Sequence, residues 1–264
     1  MLPFDPAQVR VIDLEQPRRA GDPIAAGHVP PGYSYLLHRQ HQPNPGDRRS
    51  SAAGVIIQSD HAGTHIDALA HQAEDGHCFG GRPAAEIVTA FGFREMGVDT
   101  MAPIVARGIL IDLVRHRGRL VGVGELVGLD EIQQAARAQG IEPRAGDVVL
   151  VRTGNGQRWD QDAEAYLDGP GMAAPVSAWL AEHRVRAVGA DNVAWEHKDD
   201  REAEFTLPGH VLLLVRAGIH ILENLTLEAL AEAGAHEFVV VCLPLKLVGA
   251  TGSPVRPVAL VPGG

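Results

Sequence analysis

Residues 59 to 72 read SDHAGTHIDALAHQ and place three histidines, His61, His65 and His71, with Asp67 around Gly63. Imidazole nitrogens and carboxylate oxygens converging at about 2.0 to 2.2 Å are the ligands of a borderline divalent metal. His61, His65 and Asp67 offer that set. Gly63 permits a tight bend between the two histidines. If the chain then runs extended, His65 and Asp67 face the same side, because strand side chains alternate. His71 follows close enough to face the same cavity without being a ligand, and a surplus histidine suggests a proton carrier. A single histidine is more often a surface or satisfied core residue, and this chain has 13. It is the clustering that marks these.

The elements that must position them alternate. Short runs rich in Val, Ile and Leu, bounded by Gly, Pro or Asp, predict strands at 9–14, 33–38, 54–58, 109–114, 147–153, 185–190 and 237–243. Val55, Ile56 and Ile57 look like a strand entering the histidine loop. Helical patterns lie between, at 130–140, 173–183 and 226–234, the last opening on a Thr226 cap and stopping at Gly234. This mixture predicts an α/β fold. Residues 18–32 and roughly 72–108 resist assignment, and loops that long are usually functional or make subunit contacts.

At 264 residues and 45% hydrophobic content the chain can bury a sizeable core, so 1–264 is expected to form one domain. With 23 Lys and Arg against 33 Asp and Glu, net −10, and no basic stripe beyond Arg48 and Arg49, nucleic acid is not an expected partner. No apolar run approaches the roughly 20 residues that span a bilayer, so no membrane partner is expected. The opening residues lack the order of a secretion signal, and Cys78 and Cys242 make no disulfide framework. A cytoplasmic, reducing location is expected.

His61, Gly63, Thr64, His65, Asp67 and His71 together resemble the signature of the cyclase family of metal-dependent hydrolases, which includes bacterial kynurenine formamidase and isatin hydrolase. The later segments GADNVAWE (189–196), LPGHVLLLVRAGIHILENL (207–225) and LPLKLVGATGSPVRPVAL (243–260) are similar to that family's later blocks, in the same order. The resemblance implies a swivelling β/β/α domain assembled as a homodimer or homotetramer.

It also implies a site. His61, His65 and Asp67 match the ligands of one zinc, His210 the histidine of a second, and Glu223 a glutamate bridging both, while other members hold a single manganese. His71 matches the acid/base residue, working with a metal-activated water on a small amide, lactam or N-formyl compound. Read from the residues alone, His210 sits in the first turn of a helix between Pro208 and Gly218. Glu223 ends an apolar strand-like run, where a carboxylate is either solvated or paired inside. Leu69 stands where the formamidases commonly have proline, which points to the broader branch of the family rather than to N-formylkynurenine.

Phe79, Trp195 and Glu196 are candidate substrate contacts, Trp195 and Glu196 because they follow a strand directly. Core packing is the alternative for Trp195, and a buried, inert thiol is the reading of Cys78. Three other functions stay open. A lactone or ester hydrolase would use the same site. A non-haem iron oxygenase would need only two histidines and a carboxylate, on a jelly roll. A non-catalytic metal scaffold would leave His71 without a purpose.

Overall fold

A computed structural model of the chain describes residues 8–29, 32–42, 45–197 and 207–263. Eleven strands carry the argument: β1 Val9–Asp13, β2 Tyr33–Arg39, β3 Ala53–Gln58, β4 His65–Asp67, β5 Ile104–Asp112, β6 Val148–Arg152, β7 Ala187–Ala190, β8 His220–Glu223, β9 Glu237–Cys242, β10 Gly252–Pro254 and β11 Val258–Pro262. All but β2 and β3 belong to one nine-stranded sheet of order β1-β11-β9-β5-β6-β7-β8-β4-β10. The four strands β5 to β8 run parallel; those flanking them pair antiparallel. The expected α/β class holds, and the parallel core with its helices is not the jelly roll an oxygenase would favour.

Four helices matter here: α1 Leu129–Ala138, α2 Ala174–Glu182, α3 over Pro208–Ala217 and α4 Glu228–Glu232. Beyond His210, α3 is wound as a π-helix, and Gly218 ends it at φ 68°, a conformation that favours glycine. Ile132 of α1, Val176 and Leu180 of α2 and Leu213 of α3 pack on Ile109, Ile111, Val149 and Val188, the outer face of the parallel strands. The sheet curls, so its inner face closes a second core in which Ile12, Val240, Leu110, Leu150 and Ile66 meet from both ends of the strand order.

Several expectations shift. The 109–114 strand begins at Ile104 and stops at Asp112, whose carboxylate accepts from the Arg115 N–H and starts a helical turn over Leu113–Arg117. The Thr226 cap is absent: α4 begins after Leu227, whose N–H is taken by the Glu228 carboxylate. Strands β10 and β11 carry proline, which argues against a strand in sequence; β10 tolerates Pro254 because it lies at the sheet edge. The Val55–Ile57 run is a strand, yet it enters no sheet core. It pairs only with β2 in a separate antiparallel ribbon.

Candidate metal centre

The site lies where β4 is held between β8 and β10. Ile66 is wholly buried in the second core, which turns His65 and Asp67 to the opposite side of the strand. Register then decides the rest. Glu223 pairs with His65 across β8 and β4, while Gly252 pairs with Asp67 across β10 and β4. Any side chain at 252 would meet the His61 ring, since a Cβ there would stand 2.7 Å from its Cε1. Gly63 bends the loop at φ 61°, and Arg18 crosses it, donating to the carbonyls of Ala62 and Thr64.

The polar atoms converge in two groups sharing Asp67 and Glu223. In the first, His61 Nδ1 is 2.8 Å from Asp67 Oδ1, His65 Nε2 is 3.5 Å from the same oxygen, and His65 Nε2 is 3.3 Å from Glu223 Oε2. In the second, His210 Nε2 is 3.6 Å from Asp67 Oδ2 and 3.5 Å from Glu223 Oε1. Asp67 is 0% exposed, and neither its oxygens nor His61 Nδ1 has a hydrogen-bond partner. Buried polar atoms without partners are costly. A divalent cation bound by nitrogen and oxygen would satisfy all three at once, so these residues fit such an ion.

Each histidine is fixed through its other nitrogen, as metal-ligating imidazoles require. His61 Nε2 is 2.9 Å from Thr251 Oγ1, whose hydroxyl donates to Asp60. His65 Nδ1 is 2.7 Å from the Gly63 carbonyl. His210 Nδ1 is 2.8 Å from Glu196 Oε2, and the other Glu196 oxygen accepts from the His210 backbone N–H. Asn224, with φ 56°, backs the loop: its Nδ2 donates to Gly63 O, its carbonyl accepts from Thr64, and its Oδ1 accepts from the Tyr166 hydroxyl.

Charge follows this geometry. Burial works against the Asp67 carboxylate, but the surrounding histidines hold it well below the usual carboxylate range. Burial likewise opposes the charged form of His210; the carboxylates of Glu196, Glu223 and Asp67 outweigh it and push the imidazole up to about 10. His71 goes the other way, brought down to about 3 by burial and by the neighbouring His61, His210 and His65, against the pull of Asp67. It is therefore neutral at neutral pH, with a ring nitrogen lone pair. Its ring lies 4.0 Å from that of His61 and 5.8 Å from that of His210. A cation beside it would disfavour the imidazolium further.

The six residues His61, His65, Asp67, His71, His210 and Glu223 are thus brought together. Trp195 and Glu196, expected as substrate contacts, lie packed behind the centre. Trp195 is 0% exposed, its indole N–H donating to Ser177 and its backbone N–H to Glu223, while both Glu196 oxygens are spent on His210. Phe79 is half-buried, with its ring against Gly218 at the end of α3.

Sequence reasoning missed His28, from the unassigned 18–32 stretch, whose ring stacks on His61 at 4.7 Å and lies 6.1 Å from His71. It also missed Thr251, Asp60 and Asn224, whose only signal was that they lie within the quoted segments 243–260, 59–72 and 207–225.

The family model described as "Putative cyclase" matches residues 12–197. The chain is 27% identical over 249 residues to a kynurenine formamidase of Bacillus cereus, covering 94% of this chain and 95% of that one. It is 30% identical over 253 residues to a kynurenine formamidase of Paracidovorax citrulli, covering 95% and 96%. Among solved structures, a protein described as a novel cyclase superposes with a TM-score of 0.84 at 27% identity, over 95% of this chain and 88% of the other. An isatin hydrolase bound to the product analogue thioisatinate shares the fold, with a TM-score of 0.75 at 22% identity over 97% and 94%. The swivelling β/β/α architecture expected from the resemblance is the one these structures share. With the family model matched across most of its length and the histidine–aspartate cluster at its centre, the chain belongs to the cyclase family.

Proposed function

We propose that this protein is a metal-dependent hydrolase that cleaves the C–N bond of a small non-peptide amide, lactam or N-formyl compound. The observation that carries the reading is the paired cage on Asp67 and Glu223 with His71 beside it, neutral and spare. His61, His65, Asp67 and Glu223 would hold one ion; Asp67, His210 and Glu223 would hold a second. A bound divalent ion supplies a Lewis acid that polarises the carbonyl and makes water a stronger nucleophile.

The chain's own residues do the rest. Glu196, Gly63 and Thr251 keep each histidine lone pair aimed inward. His71 takes the proton released as the carbonyl is attacked and returns it to the departing nitrogen, a role that typically contributes about 10² to 10⁴ in rate. Three partially or wholly buried rings, His28, His61 and His71, narrow the approach. A purely structural metal site has no use for a base held at neutral charge, which favours catalysis over a scaffold.

Zinc or manganese, as one ion or two, suits this nitrogen and oxygen set. The chain is further read as one domain over 1–264, acting in the cytoplasm as a homodimer or homotetramer on a small molecule, with Phe79 at the pocket wall. No helix among the described residues is long and apolar enough to cross a membrane. The test is turnover of N-formylkynurenine, isatin, simple lactams and matching lactones by protein loaded separately with zinc and with manganese. Amide or lactam cleavage is expected. Preference for the lactones would move the assignment to ester chemistry, and inactivity on every compound with both metals would remove the hydrolase reading.

A further inference from the structure

Beside β4 and β8 lies a cavity of about 360 Å³, on the side where residues 94–102 lead into β5 and Arg186 leads into β7. None of the six residues of the candidate centre lines it. Its volume lies within the range of small-molecule pockets.

The walls are of two kinds. Leu69, Met96 and Met101 are half-buried and apolar, and methionine adapts its shape to irregular ligands. Arg94 and Arg186 supply charge. The Arg94 side chain has no hydrogen-bond or ion-pair partner among the described residues. Arg186 spends one nitrogen on the carbonyls of Ala102 and Pro103, at 3.4 and 3.5 Å, contacts at the long limit of hydrogen bonding. The acidic side chain on the wall, Glu95, is already paired, because both of its oxygens accept from Arg82. Two guanidinium groups are therefore left without a carboxylate. Guanidinium is the group that pairs carboxylates best, often through two hydrogen bonds at once. Apolar and cationic walls together suit an organic carboxylate better than a bare inorganic anion or a neutral amide.

Three contacts join this cavity to the centre. His220, on its wall, donates through Nδ1 to the Asp67 carbonyl at 2.9 Å. Leu69 opens the helical turn that ends at His71. Within that turn the Ala70 N–H donates to the Met96 carbonyl at 3.1 Å. Met96 itself stands at φ 62°, a costly conformation for a residue with a side chain, kept only where the surroundings over-determine it.

We propose that this cavity binds an organic carboxylate at a site separate from the metal centre. The ligand class is the acid released when water adds to an amide or lactam carbonyl and the nitrogen leaves as the amine. The link to a product rests on the hydrolase reading; the carboxylate preference rests on the cavity alone. The probe is benzoate, with benzamide as the uncharged control of the same shape. Each is titrated into zinc-loaded protein and followed by the methyl signals of Met96, Met101 and the wholly buried Met172. Benzoate should move Met96 and Met101, leave Met172 in place, and bind at least about tenfold tighter than benzamide, a factor that hydrogen bonds to charged groups supply. Arg94→Gln/Arg186→Gln should cost about the same factor. Both side chains are exposed, so circular dichroism should not change; the wild-type methyl response decides the matter should that variant unfold. Chelating the zinc should leave the response intact. Equal affinity for benzoate and benzamide, displacement of benzoate by an equal concentration of inorganic phosphate, or a response that disappears with the zinc would each overturn the site. Inactivity across the compound panel would instead remove the hydrolase reading and the link to a product, with the carboxylate site still standing.

Discussion

Replacing Glu196 with glutamine tests the centre without touching a proposed ligand. Both Glu196 oxygens accept, one from the His210 backbone N–H at 2.8 Å and one at Nδ1, also at 2.8 Å. Glutamine keeps the shape but offers one acceptor and one donor. If its NH₂ faces Nδ1, the imidazole proton must move to Nε2, the atom aimed at Asp67 and Glu223, and the lone pair for the metal is lost. If its NH₂ faces the backbone instead, two donors meet in a site where Glu196 is 2% exposed, at a cost of about 1 to 3 kcal/mol. Changes to such outer partners cost about 10- to 100-fold in metal affinity, or roughly 1.4 to 2.8 kcal/mol at 1.4 kcal/mol per tenfold. The assay is competition with a chelator for zinc or manganese, alongside thermal unfolding of the metal-free protein. Glu196→Gln should weaken the His210 site by that factor while remaining folded. Affinity within twofold of wild type would refute the argument that Glu196 sets the His210 tautomer.

Other outcomes follow from the same geometry. Because His210 rises from an ordinary 6.5 to about 10, its contribution to the stability of the metal-free protein is complete below about pH 6.5. That contribution is lost as pH rises towards 10, so metal-free melting temperatures should fall over this window. Metal must displace that proton, so affinity should rise with pH, and calorimetry in buffers of differing ionisation heat should show proton release. Asp67→Ala removes an oxygen from both halves of the cage; metal content and turnover should vanish together, and retained stoichiometric metal would count against a shared carboxylate. His71→Ala should keep the metal and lose about 10² to 10⁴ in turnover, measured on whichever substrate the panel identifies. Burial pushes the Cys242 thiol up to about 12, so a thiol reagent at neutral pH should leave it unmodified until the protein is unfolded.

The legible features were those encoded locally. Strand and helix patterns located β6, β7, β9, α1 and α2 because each is a short apolar run, or an apolar stripe, closed by Gly, Pro or Asp. Proline hid β10 and β11. The exposed ribbon misled in a different way: Val55, Ile56 and Ile57 have the composition of a central strand, and nothing local says whether such a run meets a core or another chain. Trp195 and Glu196 were placed correctly after a strand, but which side of the site they back depends on α3 folding over them, a contact between residues far apart in sequence.

For the centre itself, the sequence alone determined the loop: His61, Gly63, His65 and Asp67 lie within one turn and one strand, where glycine freedom and side-chain alternation fix relative directions without reference to the rest of the chain, and His71 follows in the next short helical turn. The tertiary structure decided everything that depends on register. Burying Ile66 beside Leu222 sets Glu223 against His65, the Glu196 contact turns His210 toward Asp67, and a long loop lays His28 over His61. A shift of one residue between β4 and β8 would turn Glu223 away from the face that carries His65 and Asp67, so the cage is written in the packing of the core behind it.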